Sequence, residues 1–176
     1  HDWNAWWASG QPGRPSAALD YPAVLAAWHQ ALWEQNLTTD LAHPEADLAG
    51  YRMVVVPQLY LLTDAALDGL DAYVRGGGTL VCGFFTGVAD ADDRIREGGV
   101  DARLRRLLGI ARVHEWWPLG EGETLRLTDG SAAAVWSEDL EPADATETVA
   151  AYASGPLAGR PAVTRSSAGE GTAWYV

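Results

Sequence analysis

The apolar residues Tyr21, Val24, Leu25, Trp28, Leu32 and Trp33 recur at helical spacing, which predicts an amphipathic helix ending near Asn36. Residues 38–42 then read as a short strand. Met53, Val54, Val55 and Val56 form an unbroken apolar run that stops at Pro57, the pattern of a strand covered on both faces of a parallel sheet. Thr63 is a suitable N-cap for a second helix, whose inner face would carry Ala66, Leu67, Leu70, Tyr73 and Val74. Three glycines, Gly76 to Gly78, stop that helix, and residues 79–82 resume as a strand. Strands and helices alternating over short connections predict a doubly wound α/β sheet.

Residues 84–100, rich in Asp and Gly, predict a long loop, a feature that usually serves function or an interface. Leu104, Leu107 and Leu108 predict a short third helix closed by Gly109. Past it the texture changes to short strands at 111–117, 123–127, 132–136, 146–153, 161–165 and 172–176, separated by Gly-, Asp- and Pro-rich turns. This half reads as an antiparallel extension of the same domain, so residues 1–176 form one domain without an internal repeat or linker. The opening residues, His1 to Trp7, read as the loop that follows a strand lying upstream of His1. The chain is therefore expected to be a domain of a longer protein, truncated at its N-terminal strand.

Composition narrows the partners. A net charge of -12 at pH 7 argues against nucleic acid and anionic membrane, both of which need basic surface. All the Lys-plus-Arg charge is arginine. No apolar run approaches the roughly 18 residues of a membrane span. The one cysteine, Cys82, rules out an internal disulfide. The expected location is the cytoplasm.

Cys82, at the end of a strand, invites comparison with the nucleophilic cysteine of class I glutamine amidotransferases. That chemistry needs a base within hydrogen-bond reach and an oxyanion hole. Here no small residue stands two positions earlier, a loop follows rather than a helix, and His114 is the only histidine of the C-terminal half. A buried structural thiol is the favoured reading. Asp90, Asp92 and Asp93 cluster with Arg94 and Arg96, but the spacing of a calcium loop is absent. One loop cannot supply the two carboxylates that flank a glycosidic bond. The cluster reads as a solvated or interface-paired charge run. His29 and His43 fit no metal-ligand spacing, and no metal or cofactor is expected. The glycines at 76–78 precede a strand, whereas a phosphate-cradling loop follows one.

The aromatic residues remain. Trp3, Trp6 and Trp7 lie in the loop after the inferred first strand, and Phe84 and Phe85 in the loop after 79–82. Both loops would leave the carboxyl edge of a parallel sheet, where ligands and partners dock, and Tyr60 joins them there. A protein interface and a sugar-stacking surface are both open, the interface favoured because aromatics are enriched at interface cores. Trp28 and Trp33 are expected to serve the core.

Taken in order, the motifs resemble the trimerisation domain of family 42 β-galactosidases. The matching residues begin with Asp2-Trp3-Asn4-Ala5-Trp6-Trp7 and Arg14-Pro15-Ser16, then Tyr21 and the helix through Trp33. They continue through Asp47-Leu48-Ala49-Gly50-Tyr51, Val54-Val55-Val56-Pro57, Leu59-Tyr60-Leu61-Leu62 and Tyr73-Val74 with Gly77-Gly78-Thr79-Leu80-Val81. Thr86-Gly87-Val88-Ala89-Asp90, Arg160-Pro161-Ala162-Val163-Thr164-Arg165 and Gly169-Glu170-Gly171-Thr172-Ala173-Trp174-Tyr175 complete the series. The resemblance implies a flavodoxin-like, class I glutamine amidotransferase-like three-layer sandwich, with a mostly parallel sheet and without the amidotransferase machinery. It implies a non-catalytic domain whose parent is a retaining β-galactosidase, with its catalytic glutamates in a separate TIM barrel. The partners implied are that barrel and the neighbouring subunits of a homotrimer, galactoside being met only through the parent enzyme. One trimer patch is expected at Trp3, Trp6 and Trp7 with the 84–96 loop, including Asp90, Asp93 and Arg94. An amidotransferase-like hydrolase using Cys82 and a carbohydrate-binding module using the three tryptophans stand as alternatives.

Overall fold

A computed structural model of the chain describes residue 10, residues 14–16 and residues 19–176. Trp3, Trp6 and Trp7 lie outside the described residues. Helix α1 spans Tyr21–Glu34, its N-cap Asp20 accepting from the Ala23 N–H at 3.1 Å, with Pro22 in the first turn. Strand β1 (Met53–Val56) leads to α2 (Asp64–Arg75), capped by Thr63, and then to β2 (Thr79–Cys82). Helix α3 (Ala102–Leu108) closes at Gly109, whose φ of 67° is the left-handed conformation a helix end favours in glycine. Strands β3 (Ile110–Pro118), β4 (Thr124–Arg126), β5 (Ala132–Ala134), β6 (Trp136–Pro142), β7 (Glu147–Ala151), β8 (Pro161–Ala168) and β9 (Gly171–Tyr175) follow.

The main sheet has five strands in the order β1-β2-β9-β8-β7. β1, β2 and β9 are mutually parallel, while β8 and β7 continue the sheet antiparallel. The sheet is thus evenly mixed rather than mostly parallel. The last strand was expected in an antiparallel extension, yet β9 enters the sheet centre and pairs parallel with β2 on one side and antiparallel with β8 on the other. The physical reason is composition: Thr172 to Tyr175 supply buried Ala173 and Tyr175 on one face, which suits a covered central position. β3 pairs with β6, and β4 with β5, as separate antiparallel ribbons.

The core forms where α2 and α3 cover the sheet. Leu67, Leu70, Val74, Leu104, Leu107 and Leu108 pack there on Leu80, Cys82, Ala173 and Tyr175. The inner face expected for α2 is the buried one.

Three further expectations are corrected. Residues 38–42 form no strand, because no described segment pairs with them; their neighbouring wall, β1, stands across an apolar groove. Trp33 is 71% exposed rather than in the core, since it falls one position off the half-buried stripe of Val24, Leu25, Trp28 and Leu32. The strand expected over 132–136 is β5, which ends at Ala134, and a separate, unexpected β6 starts at Trp136 and runs to Pro142 through Ser137-Glu138-Asp139, a sequence with the polarity of a turn. Ser137 Oγ donates to the Trp117 carbonyl, Asp139 pairs with Arg160, and Glu138 Oε2 accepts from Trp136 Nε1, which helps the strand tolerate them. Among the described residues no helix is long and apolar enough to cross a membrane.

Candidate functional site

The parallel strands end in one row, Val56 beside Cys82 and Cys82 beside Tyr175. The backbone stays paired just beyond that row: Gly83 N–H donates to Val56 O at 2.8 Å and Phe84 N–H to Val176 O at 3.0 Å. Gly83 is required here, because a Cβ at this position would stand 2.0 Å from the Pro57 carbonyl oxygen. The tight crossing delivers Phe84 and Phe85 to the carboxyl edge. Phe85 takes a φ of 58°, a conformation that a bulky residue holds only when its surroundings over-determine it.

Those surroundings are an aromatic cluster. The Phe85 ring stacks on Tyr60 at a centroid distance of 5.4 Å and meets the edge of Trp116 at 5.5 Å. Phe84 stacks on Trp136 at 5.5 Å, and Trp116 lies 5.8 Å from Trp136. Leu19, Val88 and Ala89 complete the cluster. The structure therefore brings Tyr60, Phe84 and Phe85 together, with Tyr60 and Phe85 buried and Phe84 half-buried. Burial, reinforced by the Asp93 carboxylate, pushes the Tyr60 hydroxyl up to about 12.

Above this base sits the 84–100 loop, which is held rather than free. Gly87 N–H donates to Leu59 O, Ala89 N–H to Tyr60 O and Arg96 N–H to Val88 O, at 2.8, 3.0 and 2.8 Å. The Arg96 guanidinium, mostly buried, spans from Asp101 at 2.6 Å to the Leu62 carbonyl at 2.8 Å. At the tip, the Asp90 carboxylate accepts from the N–H groups of Asp92 and Arg94 at 2.9 and 3.0 Å. The Arg94 N–H is the first cause holding its carboxyl below the usual range, with Asp92 N–H and the Arg94 and Arg96 charges adding. Asp93 adopts a φ of 60°, and Arg94 pairs with Asp92 at 2.9 Å. This fixed turn presents Ile95, 62% exposed, among charged side chains.

Sequence reasoning missed the groups beneath the cluster. The Glu138 carboxyl is buried beside Cys82, Tyr152 and Tyr175, and burial raises its pKa. Its Oε2 accepts from Trp136 Nε1 at 3.1 Å, and its own N–H donates to the Tyr152 hydroxyl at 3.2 Å. Burial and the neighbouring Glu138 charge raise Tyr175 well above the ordinary tyrosine value. A cleft of about 360 Å³ opens beside these residues, lined by Gly83, Phe84, Trp136, Glu138, Tyr152 and Val176. The legible signal was the two-residue spacing of Trp136 and Glu138, which places both on one face of a strand. Cys82 is fully buried, and burial drives its thiol up to about 12, opposite to what a nucleophile needs. No group of three His, Cys, Asp or Glu among the described residues could hold a metal ion.

The comparisons with known proteins agree over the whole length. The β-galactosidase trimerisation domain family matches residues 1–176. The chain is 40% identical over 177 residues to a β-galactosidase from Arthrobacter sp., covering 99% of this chain and 25% of that protein. It is 33% identical over 177 residues to one from Geobacillus kaustophilus, covering 99% of this chain and 26% of that protein. The crystal structure of β-galactosidase from Bacillus circulans sp. alkalophilus superposes with a TM-score of 0.93 at 29% identity, covering 100% of this chain and 27% of that one. A polyextremophilic β-galactosidase from the Antarctic haloarchaeon Halorubrum lacusprofundi gives 0.86 at 34% identity, covering 99% and 26%. The chain spans about a quarter of the length of these relatives. It belongs to the β-galactosidase trimerisation domain family.

Proposed function

We propose that this chain is the assembly domain of a longer polypeptide that hydrolyses terminal β-D-galactosyl residues in a TIM barrel outside these 176 residues. The observation that carries the reading is the family match along all of residues 1–176, by a chain only about a quarter as long as its relatives. The domain itself supplies no catalytic group; it holds three subunits in a ring and borders the neighbouring subunit's active site. A cytoplasmic location goes with this reading. So does kinship with flavodoxin-like and class I glutamine amidotransferase-like folds, supported by three parallel strands with α2 and α3 on one face.

Closing a three-fold ring requires two different patches to meet. One patch is the 84–96 loop, together with Trp3, Trp6 and Trp7. What supports it is a tip that exposes Ile95, next to Arg94 in the chain, with the Asp90 carboxylate fixing the turn. Tyr60, Phe84 and Phe85 act from below, as the packed base that sets the height of the tip. In the full-length enzyme, Ile95→Asp and the pair Trp6→Ala with Trp7→Ala are expected to shift sedimentation from trimer toward monomer and to lower galactoside hydrolysis. A trimer and an activity both unchanged in these variants would refute the placement.

A further inference from the structure

We infer that Glu138 is a proton-operated latch: protonated, it ties the β3–β6 ribbon to the main sheet, and ionised, it lets the ribbon and the aromatic base of the 84–96 loop loosen. The consequence for assembly rests on the function proposed above.

The place of Glu138 in the fold makes the first argument. Trp136, Glu138 and Leu140 alternate onto one buried face of β6, which lies against β8. A row of buried side chains crosses three strands of the sheet, Cys82 beside Tyr175 and Tyr175 beside Thr164. Glu138 meets that row at Tyr175 and Cys82, whose ionisation it shifts. Its N–H donates to the Tyr152 hydroxyl at 3.2 Å, just past β7. One residue of the ribbon thus touches groups from three parts of the sheet.

The count of partners makes the second. Glu138 Oε2 accepts from Trp136 Nε1 at 3.1 Å. Glu138 Oε1, the Tyr175 hydroxyl and Thr164 Oγ1 are buried and make no hydrogen bond of ordinary geometry among the described residues. Glu138 and Tyr175 nevertheless lie close enough for each to shift the other's ionisation. A buried carboxylate needs a cation or a full set of donors. The chain's basic charge is all arginine, and no arginine is among the groups that act on Glu138. The titratable groups facing it are Tyr175 from β9, Cys82 from β2 and Tyr152, each made harder to ionise by burial. β8 offers the neutral Thr164, and β3 sets Trp116 opposite Glu138. A protonated carboxyl fits these surroundings, because its O–H lets it bond with the Tyr175 hydroxyl in either direction and leaves no charge to solvate.

The third argument is what ionisation does. Oε1 is closed to solvent, so water reaches an ionised Glu138 only when β6 moves off the sheet. Trp136 moves with it, and its ring stacks on Phe84 at 5.5 Å and tilts against Phe85 at 5.4 Å. Trp116, opposite Glu138 in the ladder, also meets Phe85. Phe84 and Phe85 open the 84–96 loop, so one proton governs the base on which its tip stands.

The test uses the full-length enzyme between about pH 5 and about pH 9. Hydrogen exchange of the wild type, corrected for the intrinsic effect of pH, comes first. Amides of Glu138 and Leu140 are expected to lose protection by on the order of tenfold or more as pH rises, while Leu80 and Ala173 keep theirs. Tryptophan fluorescence should change over the same interval. In Glu138→Gln, neutral at every pH, both signals should stay flat. In Glu141→Gln, an exposed position on the same strand, they should follow the wild type. The infrared difference between wild type and Glu138→Gln should show a carboxylic acid carbonyl band that disappears as the ribbon opens. An ionised Glu138 inside a closed ribbon, or the same alkaline loss of protection in Glu138→Gln, would overturn the inference. So would constant protection of Glu138 and Leu140 in the wild type, a result that needs no variant to fold. Sedimentation of the same samples reads assembly separately: a ribbon that opens while the trimer persists counts against the loop as a trimer patch and leaves the latch standing.

Discussion

The indole N–H of Trp136 donates to the buried Glu138 carboxylate at 3.1 Å, from the same face of β6. The bond partly offsets the cost of a charge in an apolar enclosure, but burial dominates and the carboxyl's pKa lies above its ordinary value of 4.5. The folded protein thus keeps this proton to higher pH than the unfolded chain does. Stability falls as pH rises from the ordinary glutamate range toward the folded pKa, and the penalty vanishes below that range, where both states are protonated. Glu138→Gln mimics the protonated form and keeps an acceptor for Trp136. It is expected to match the wild type near pH 4 and to exceed it at pH 8, the two curves diverging by at most about 1.4 kcal/mol per pH unit. Urea unfolding across this range checks it, and parallel curves would show that Glu138 is not the source of the slope.

Asp101 does two things with one carboxylate. It caps α3 by accepting from the Arg103 and Leu104 N–H groups at 2.7 and 3.2 Å, and it pairs with the mostly buried Arg96 at 2.6 Å. Asp101→Ala removes the cap and strands the guanidinium, with an expected cost of about 2–4 kcal/mol. Asp101→Asn retains the cap, loses the charge and should cost roughly half as much. Amide exchange separates the two roles: in both variants Ala89 and Arg96 should lose protection, because Arg96 ties the 84–100 loop to α3 and the Leu62 carbonyl. Equal protection in all three proteins would mean that the loop holds without its arginine.

The elements with a strong local period were legible in the sequence. α2 with its inner face, α3 with its Gly109 stop, and the apolar runs of β1 and β2 all stand where periodicity and caps put them. What was not legible depended on partners distant in the chain. β9 became central through Tyr175, whose row is completed by Cys82 and Val56. β6 hid behind Ser137, Glu138 and Asp139, which look like a turn until Trp117, Trp136 and Arg160 are seen to bond with them. Tyr60, Phe84 and Phe85 meet at the carboxyl edge as the sequence led one to expect, but nothing in it placed Trp116 and Trp136 of the C-terminal ribbon against Phe84 and Phe85. Nothing local in the sequence links 85 to 116; the fold does.

Gly83 lies just beyond the β1–β2 ladder, against the backbone of Pro57. A Cβ there would lie 2.0 Å from the Pro57 carbonyl oxygen and 2.8 Å from its carbonyl carbon, both backbone atoms that cannot rotate away. Gly83→Ala must separate the strand ends and re-aim Phe84 and Phe85, so about 3 kcal/mol or more of destabilisation is expected, the mark of overpacking against fixed backbone. Near-UV circular dichroism should change with it, because Trp136 and Trp116 report on the same ring cluster. Gly50→Ala is the control: nothing lies within 4 Å of its Cβ position, and its effect should stay within about 0.5 kcal/mol. Similar losses at both positions would remove the steric explanation.

Cys82 distinguishes an assembly domain from a thiol hydrolase by its chemistry. Its side chain is fully buried, its Sγ donates weakly to the Gly83 carbonyl at 3.7 Å, and its pKa is pushed up to about 12. Burial is the main cause and the Glu138 charge adds to it, outweighing the hydrogen bond with Thr86. At pH 8 the thiolate, which is the reactive form, is therefore scarce. Native protein is therefore expected to resist iodoacetamide at pH 8, while protein unfolded in urea is alkylated at the rate of an ordinary cysteine. Intact-mass measurement follows both. A native thiol that reacts faster than the unfolded one would require a depressed pKa and an open path to solvent, and would reinstate Cys82 as a candidate nucleophile. Slow native reaction, paced by global unfolding and accelerated in Gly83→Ala, instead fits a cysteine whose task is to fill the space between α2 and the sheet.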